Sequence, residues 1–411
     1  MAKTLSPSPL ARPLPELAEI SGLRLGAVAA GIRYTGRSDL MLMEFAPGTT
    51  VAGVFTRSKC PGAPIDWSKA ALSEGKARAL LVNSGNANVF TGRAGVLATQ
   101  TSAAATARAV QCSATEVFLA STGVIGERLP TEKIVEAIPA LHESLQEDGW
   151  ADAARAIMTT DTFPKAARRD IRIGETPVRI QGIAKGSGMV APDMATMLGF
   201  VATDAALPND VLQALLREGI DQSFNSITVD SDTSTSDMVL LFATGKAGND
   251  TPANAADPAL RDFRAALHSV LHELALMVVR DGEGATKLMT IRVTGATSNE
   301  SARRIALSVG NSPLVKTAIA GEDANWGRIV MAVGKADEPA NRDTLSVAIG
   351  GTWIARLGTV VEGYDETPVV AHMKGQEIDI QIDLGLANGH ATIWSCDLTH
   401  GYIDINGSYR S

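Results

Sequence analysis

The stretch Lys185-Gly-Ser-Gly-Met-Val-Ala-Pro-Asp-Met-Ala-Thr-Met-Leu198 interrupts a segment, residues 170–206, that otherwise has the composition of β-strands. Its glycines and proline are typical of a turn. The run Met197-Leu-Gly-Phe-Val-Ala202 that follows is apolar and short, as in a buried strand. Between turn and strand, Thr196 directly follows the small residue Ala195. The simplest interpretation is a glycine-rich turn that leads into a buried strand.

The same residues also suit a reaction of the backbone with itself. A threonine hydroxyl is a weak nucleophile unless a base lies beside it, and a free α-amine with a pKa near 8 can serve as that base. Breaking the Ala195–Thr196 bond would free this amine, and glycines with small neighbours permit the backbone conformation required. Because short motifs often match by chance, the residues alone leave both interpretations open.

The elements around this stretch alternate between strands and helices. Leu40–Phe45 and Thr50–Phe55 have the pattern of antiparallel strands. Residues 66–74 are predicted to be a helix capped by Asp66, and Pro258–Arg280 a long helix. Alternation predicts the α/β class and is by itself compatible with a doubly wound parallel sheet.

We place a domain boundary near residue 285. The main α/β domain would span residues 1–285, and a smaller α/β domain residues 286–411, where a strand–helix pattern begins again. A chain of 411 residues is long enough for two or three domains, each with a buried core.

The composition excludes several classes of protein. A net charge of −8 makes a nucleic-acid partner unlikely on electrostatic grounds. No run of eighteen apolar residues is present and the first residues lack a hydrophobic signal core, so we expect no membrane span and a cytoplasmic protein. Cys60, Cys112 and Cys396 lie far apart, which argues against disulfides and a Cys-x-x-Cys metal pair.

Other candidate sites are weaker. His268 and His272 are four residues apart, but they lack the His-Glu-x-x-His order of a zinc helix. Asp230, Asp232 and Asp237 do not have the spacing of a calcium loop, so we expect no metal. Asp161 and Asp232 would instead organise loops by accepting backbone N–H bonds. No phosphate-binding glycine motif opens a helix, so we predict no nucleotide cofactor.

The stretch 185–198 closely resembles the self-cleavage signature of the ornithine acetyltransferases, also called glutamate N-acetyltransferases, of arginine biosynthesis. One departure is Val89-Phe90, where members of this family often carry Ala-Cys. Matching segments recur in the family's order along nearly the whole chain, namely Asn83-Ser-Gly-Asn-Ala-Asn88, Ser121-Thr-Gly-Val-Ile-Gly126, Met158-Thr-Thr-Asp-Thr-Phe-Pro-Lys165, Ser231-Asp-Thr-Ser-Thr-Ser-Asp237, Arg280-Asp-Gly-Glu-Gly-Ala-Thr-Lys287, Asp323-Ala-Asn-Trp-Gly-Arg328 and Tyr402-Ile-Asp-Ile-Asn-Gly-Ser-Tyr-Arg-Ser411.

The resemblance implies a layered fold with β-sheets sandwiched between helices. It also implies cleavage into an α segment (1–195) and a β segment (196–411) that stay associated, as an α2β2 heterotetramer. The mature enzyme would move acetyl from N2-acetyl-L-ornithine to L-glutamate through an acetyl-threonine. Whether acetyl-CoA is also a donor stays open at this point.

The resemblance assigns roles to individual residues. Thr196 would be the nucleophile, and Thr122 with Gly123 the oxyanion hole. The substrate would be bound by Thr159, Lys185, Thr196, Glu283, Asn406 and Ser411. Two other functions remain to be weighed: an N-terminal-threonine amidohydrolase or aminopeptidase, and an uncut binding protein without catalysis.

Overall fold

The computed structural model describes residues 6–191 and 197–407, so Ala195, Thr196 and Ser411 lie outside the described residues. The strands are β1 (Leu23–Val28), β2 (Leu40–Phe45), β3 (Thr50–Phe55), β4 (Ala79–Asn86), β5 (Val117–Val124), β6 (Lys165–Ile173), β7 (Thr176–Lys185), β8 (Leu198–Thr203), β9 (Met238–Ala243), β10 (Leu288–Ala296), β11 (Ser346–Ile349), β12 (Thr352–Arg356), β13 (Thr359–Val360), β14 (Glu377–Asp383) and β15 (Gly389–Cys396). The helices are α1 (Ala63–Leu72), α2 (Gly92–Val110), α3 (Thr131–Glu143), α4 (Trp150–Ala156), α5 (Asn209–Asp221), α6 (Arg261–Arg280), α7 (Asn299–Gly310), α8 (Pro313–Ala320), α9 (Trp326–Gly334), α10 (Thr367–Met373) and α11 (His400–Asn406).

Two sheets form the centre of the molecule. The first has the order β1-β2-β4-β5 and is antiparallel except for the parallel pair β4–β5. The second has the order β3-β9-β8-β7-β6, in which only β9 and β8 run parallel. These mixed sheets differ from the doubly wound parallel sheet that alternation alone had allowed.

The two sheets pack face to face, because each strand places apolar side chains on both of its faces. Met43 from β2, Phe118 from β5 and Phe242 from β9 meet in the core between the sheets, where the rings of Phe45 and Phe242 stack at 4.2 Å. The outer face of the first sheet is covered by α2 and α3, and that of the second by α5 and α6. The expected layered sandwich of sheets between helices is therefore confirmed.

A third sheet follows along the chain, with the order β13-β12-β11-β14-β10-β15. Its core is formed with α7 and other helices of the same part of the chain. Every strand of this sheet lies between residues 288 and 396. The division into domains at residue 285 remains a prediction.

Two local details differ from the sequence expectations. The strands β2 and β3 do not pair with each other but belong to different sheets. The helix α1 begins three residues earlier than expected, with Gly62 at its N-cap position and a proline in its first turn. Asp66 therefore lies inside the first turn, where a carboxylate favours the positive end of the helix dipole, and is not the cap.

Candidate active site

A cavity of about 460 Å³ opens where the carboxyl end of β5 meets the end of β7. Its volume lies in the range of small-molecule sites. Several loops between strands and helices, together with the last helix, α11, complete its wall. The predicted site residues that line it are Thr122, Gly123, Thr159, Lys185, Glu283 and Asn406.

Thr122 and Gly123 lie at the end of β5, directly beside the bulged end of β4. Gly123 has a φ of 133°, which L-residues with a side chain rarely adopt. A Cβ there would lie 2.3 Å from the carbonyl carbon of Gly85. Only glycine fits this position, so the backbone beside the cavity can approach a ligand closely.

Lys185 ends β7, and its side chain is only 4 % exposed. Its Nζ donates to Thr159 Oγ1 at 2.8 Å and to Thr122 Oγ1 at 3.3 Å. Because an ammonium can only donate, both hydroxyls must accept, and their own hydrogens remain available to other acceptors. Burial lowers the pKa of Lys185, and the charge of Asp161 opposes this effect.

A buried ion network lies behind Lys185. Lys165 is fully buried, and its Nζ lies 2.7 Å from Asp161 Oδ1 and 2.5 Å from Asp281 Oδ2. The carboxylate of Asp161 also accepts the N–H groups of Thr159 at 3.0 Å and Gly186 at 2.7 Å. Burial alone would raise the pKa of Asp161, but Lys165 and Lys185 lower it below its ordinary value. The expected loop-organising role of Asp161 is confirmed.

Glu283 faces the cavity from the turn after α6. Its Oε2 accepts Asn406 Nδ2 at 2.6 Å, and its backbone N–H donates to Ser187 O at 3.0 Å. Burial raises the pKa of Glu283, with Asn406 partly opposing it. A Cβ on Gly188 would lie 2.3 Å from Glu283 Oε2, so the glycine leaves space for this carboxylate.

A second aspartate fixes the backbone a few residues before the predicted cleavage position. Asp230 accepts the N–H groups of Met189 at 2.6 Å and Val190 at 2.8 Å. Tyr402 of α11 donates its hydroxyl to the same carboxylate at 3.3 Å. Asp232 was expected to organise this loop, but its carboxylate is exposed and accepts no hydrogen bond among the described residues; the neighbouring Asp230 does so instead.

A third aspartate binds the backbone just after the predicted cleavage position. Asp237 immediately precedes β9, and its Oδ1 accepts the N–H of Met197 at 3.0 Å. The side chain is completely buried, and within the described ranges its Oδ2 has no hydrogen-bond partner. Met197 is covalently attached to Thr196, so Asp237 binds the backbone one residue from the predicted nucleophile.

Six predicted residues are thus brought together, whereas Ala195, Thr196 and Ser411 lie outside the described residues. The roles of all nine remain predictions. Sequence reasoning missed Lys165, Asp281, Tyr402 and the site contacts of Asp230 and Asp237. The only signal available was that Lys165, Asp237, Asp281 and Tyr402 each fall within a segment of the family resemblance.

Neither a metal centre nor a membrane span is found in residues 6–191 and 197–407. No group of three or more His, Cys, Asp or Glu side chains there is arranged to hold a metal ion. The helices in the same ranges lack the length and apolarity needed to cross a bilayer.

The chain matches the family model described as the ArgJ family over residues 24–411. It is 71% identical over 411 residues to the arginine biosynthesis bifunctional protein ArgJ of Gluconobacter oxydans, covering 100% of this chain and 97% of that protein. Identity to the protein of the same name from Brucella suis is 56% over 410 residues, covering 99% of each.

Among solved structures, the crystal structure of arginine biosynthesis bifunctional protein argJ from Bacillus halodurans is similar, with 41% identity and a TM-score of 0.50. The match covers 52% of this chain and 100% of that one. Because the family model and both relatives extend over nearly the whole chain, the protein belongs to the ArgJ family and is an acyltransferase of arginine biosynthesis.

Proposed function

We propose that the chain cuts itself between Ala195 and Thr196 and then transfers acetyl from N2-acetyl-L-ornithine to L-glutamate. In the transfer reaction the freed α-amine of Thr196 takes the proton of its own hydroxyl, and the hydroxyl oxygen attacks the acetyl carbonyl. Ornithine leaves, and the acetyl-threonine then donates its acetyl group to the amine of glutamate. The two half-reactions give ping-pong kinetics.

The oxyanion of each tetrahedral intermediate would be bound by the Thr122 hydroxyl and the Gly123 N–H. The single observation that carries this assignment is the contact of Lys185 Nζ with Thr122 Oγ1. The ammonium occupies a lone pair of this hydroxyl, which leaves the hydroxyl hydrogen as a donor toward the cavity. Donors that are oriented before the reaction stabilise the developing charge without further reorganisation.

The remaining groups of the cavity would bind the amino-acid part of the substrate. Thr159 and Lys185 supply donors for its carboxylate, and Glu283 supplies a carboxylate for its ammonium group. Asn406 fixes the orientation of Glu283 through the bond to Oε2. We also assign Ser411 to this end of the substrate, on the family resemblance alone.

Two further properties belong to this proposal. The relatives are named bifunctional proteins, which supports acetyl-CoA as a second acetyl donor, and we propose no bound cofactor. The α segment (1–195) and the β segment (196–411) would assemble as an α2β2 heterotetramer. The enzyme would work in the cytoplasm and would need neither a metal nor a nucleic acid.

Intact-mass spectrometry tests the proposal, before and after mixing with N2-acetyl-L-ornithine. We expect two fragments with a junction before Thr196, and an acetyl adduct on the fragment that begins with Thr196. Thr196→Ala should remain one chain of 42.9 kDa without transfer activity. A cut and active Thr196→Ala protein would refute the proposal, and release of acetate without transfer to labelled glutamate would instead indicate a hydrolase.

A further inference from the structure

The ammonium of Lys185 carries three hydrogens, and two of them are donated to hydroxyl groups. Its Nζ donates to Thr159 Oγ1 at 2.8 Å and to Thr122 Oγ1 at 3.3 Å. In residues 6–191 and 197–407 no acceptor takes the third hydrogen. A buried donor without an acceptor is costly. Because Lys185 lines the cavity, this hydrogen is available to a ligand bound there.

One carboxylate lies beside this ammonium without accepting a hydrogen from it. Asp161 Oδ2 is 3.7 Å from Lys185 Nζ, which is longer than a hydrogen bond. Within the described part of the chain, no other carboxylate lies within 4.0 Å of this nitrogen. Asp161 therefore balances the charge of Lys185 and leaves its third hydrogen free.

Three other donors fix the position of the Asp161 carboxylate. Its Oδ1 accepts Lys165 Nζ and the Gly186 N–H, both at 2.7 Å, and its Oδ2 accepts the Thr159 N–H at 3.0 Å. The side chain of Asp161 is completely buried. Because Gly186 directly follows Lys185, a single carboxylate holds the backbone next to Lys185 and also faces its ammonium.

Lys165 shares the Asp161 carboxylate with Lys185. Lys165 Nζ also lies 2.5 Å from Asp281 Oδ2, and this second carboxylate accepts the Thr162 N–H at 2.9 Å. Two ammonium groups and two carboxylates thus form a buried cluster without net charge. Loss of Asp161 would leave Lys185 without its nearest anion, whereas loss of Lys165 would remove a competing cation.

Charges from several elements act on Lys185. Burial lowers the pKa of Lys185, whereas the charge of Asp161 raises it. Smaller effects come from Lys165, which lowers this pKa, and from Glu283 and Asp237, which raise it. A substrate carboxylate needs the protonated ammonium, so the contact with Asp161 determines the pH up to which binding persists.

We propose that Asp161 is a positioning residue: it holds Lys185 as an ammonium and leaves the third hydrogen of that group for the carboxylate of the amino-acid substrate. The inference rests on the proposed function, which assigns Lys185 to this carboxylate. Asp161 is not among the residues that line the cavity, so it acts through Lys185, Thr159 and the Gly186 N–H.

The test is the affinity of the mature enzyme for L-ornithine, measured by isothermal titration calorimetry from mildly acidic to alkaline pH. Asp161→Asn keeps the size of the side chain and removes its charge. An opposite charge at this separation shifts a pKa by about 1–3 units, so Lys185 should lose its proton at lower pH in the variant. We expect the ratio of the variant Kd to the wild-type Kd to rise about tenfold or more across this range. A purely structural defect would raise Kd by the same factor at every pH.

Asp281→Asn is the matched control. It removes the other carboxylate of the buried cluster, which is bound to Lys165 and lies beyond ion-pair distance from Lys185. Its Kd ratio to the wild type should stay nearly constant with pH. A ratio that rises as steeply as that of Asp161→Asn would assign the effect to the cluster as a whole and overturn the specific role of Asp161.

Lys165→Met gives a second test with the opposite sign. It removes the cation that lowers the pKa of Lys185, so L-ornithine should remain bound to higher pH than in the wild type. This variant decides the question also where Asp161→Asn yields no folded mature enzyme.

A pH-independent Kd ratio for Asp161→Asn would overturn the inference, as would loss of L-ornithine at the wild-type pH or below it in Lys165→Met. Failure of the proposed function gives a different result. In that case N2-acetyl-L-ornithine would leave no acetyl adduct on the wild-type enzyme, whatever its affinity for L-ornithine.

Discussion

At the scale of single residues, the chemistry of the site depends on which hydrogen-bond donors remain available to a ligand. Lys185 can only donate, so it determines that Thr122 and Thr159 accept from it and present their own hydrogens elsewhere. The side chain of Lys185 thereby acts on the chemistry through its neighbours as well as through its charge.

Replacing Thr122 by valine removes one of the two proposed oxyanion donors and keeps the shape of the side chain. We expect kcat for acetyl transfer to fall by about 10²–10³, with little change in KM, because the lost bond is made mainly in the transition state. Steady-state kinetics measures this split. Thr359→Val, at an exposed threonine of β13, should leave both constants unchanged. A rise in KM at constant kcat would place Thr122 in substrate binding instead.

Glu283→Gln should weaken binding of the amino-acid substrate. Loss of a charged hydrogen bond costs about 1.5–3 kcal/mol, so we expect kcat/KM to drop on the order of tenfold to a hundredfold. In the wild type, the carboxylate is protonated as pH falls through the raised pKa of Glu283, so kcat/KM should decline on that acidic side. This decline should vanish in the glutamine variant. A persisting decline would assign the titration to another group.

The elements show which parts of the fold a sequence can predict. The predicted bounds of the strands at 40–45 and 50–55 match the observed ones to the residue, because local apolar composition favours strand formation. Their distribution between two sheets was not predictable, since pairing depends on contacts far apart in sequence. The helix α11 was missed for a related reason: it has seven residues and no buried stripe, and its anchor is Gly284, whose carbonyl accepts the Thr399 hydroxyl at 2.7 Å.

In the candidate site too, contacts between residues far apart in sequence could not be predicted. Motifs identified six of the residues that line the cavity, but not the contacts that Lys165 and Asp237 make. Lys165 and Asp281 are 116 residues apart, and nothing local connects them. For Asp237 the informative facts are its complete burial and its bond to the Met197 N–H, both of which depend on packing.

Lys165→Met tests the ion network between β6 and the end of α6. It leaves Asp161 and Asp281 without their shared cation, and breaking such a buried pair costs about 3–5 kcal/mol. We expect a clearly lower thermal midpoint, measured by circular dichroism. The exposed pair Arg155–Asp152 provides the control, because Arg155→Met should change stability by about 1 kcal/mol or less. Equal midpoints for the two variants would contradict a stabilising network.

At the scale of the whole molecule, the two strands that precede and follow the predicted cleavage position are neighbours in a single sheet. β7 belongs to the α segment and β8 to the β segment, and they pair from Ile180–Thr203 to Lys185–Leu198. β3 and β9 make a second pairing between the segments. Lys165 and Asp281 add a buried ion pair across the same division.

The cut protein should therefore behave as one particle. We expect both segments to co-elute in size-exclusion chromatography under native conditions and to separate only in denaturant, because separation would expose unpaired strands on both sides. Mass spectrometry of the eluted peak identifies the two segments. Elution of either segment alone under native conditions would contradict this architecture.

The two hydrogen bonds to the backbone of Met197 affect the order of the chain end that the proposed cleavage would create. A fresh terminus normally frays, but here the next residue is tied by Asp237 at its N–H and by Met238 at its carbonyl. The conformational entropy of holding Met197 is thus lost during folding, before the proposed cleavage takes place. Under the proposed self-cleavage, a molecule found in two pieces has therefore folded before it was cut.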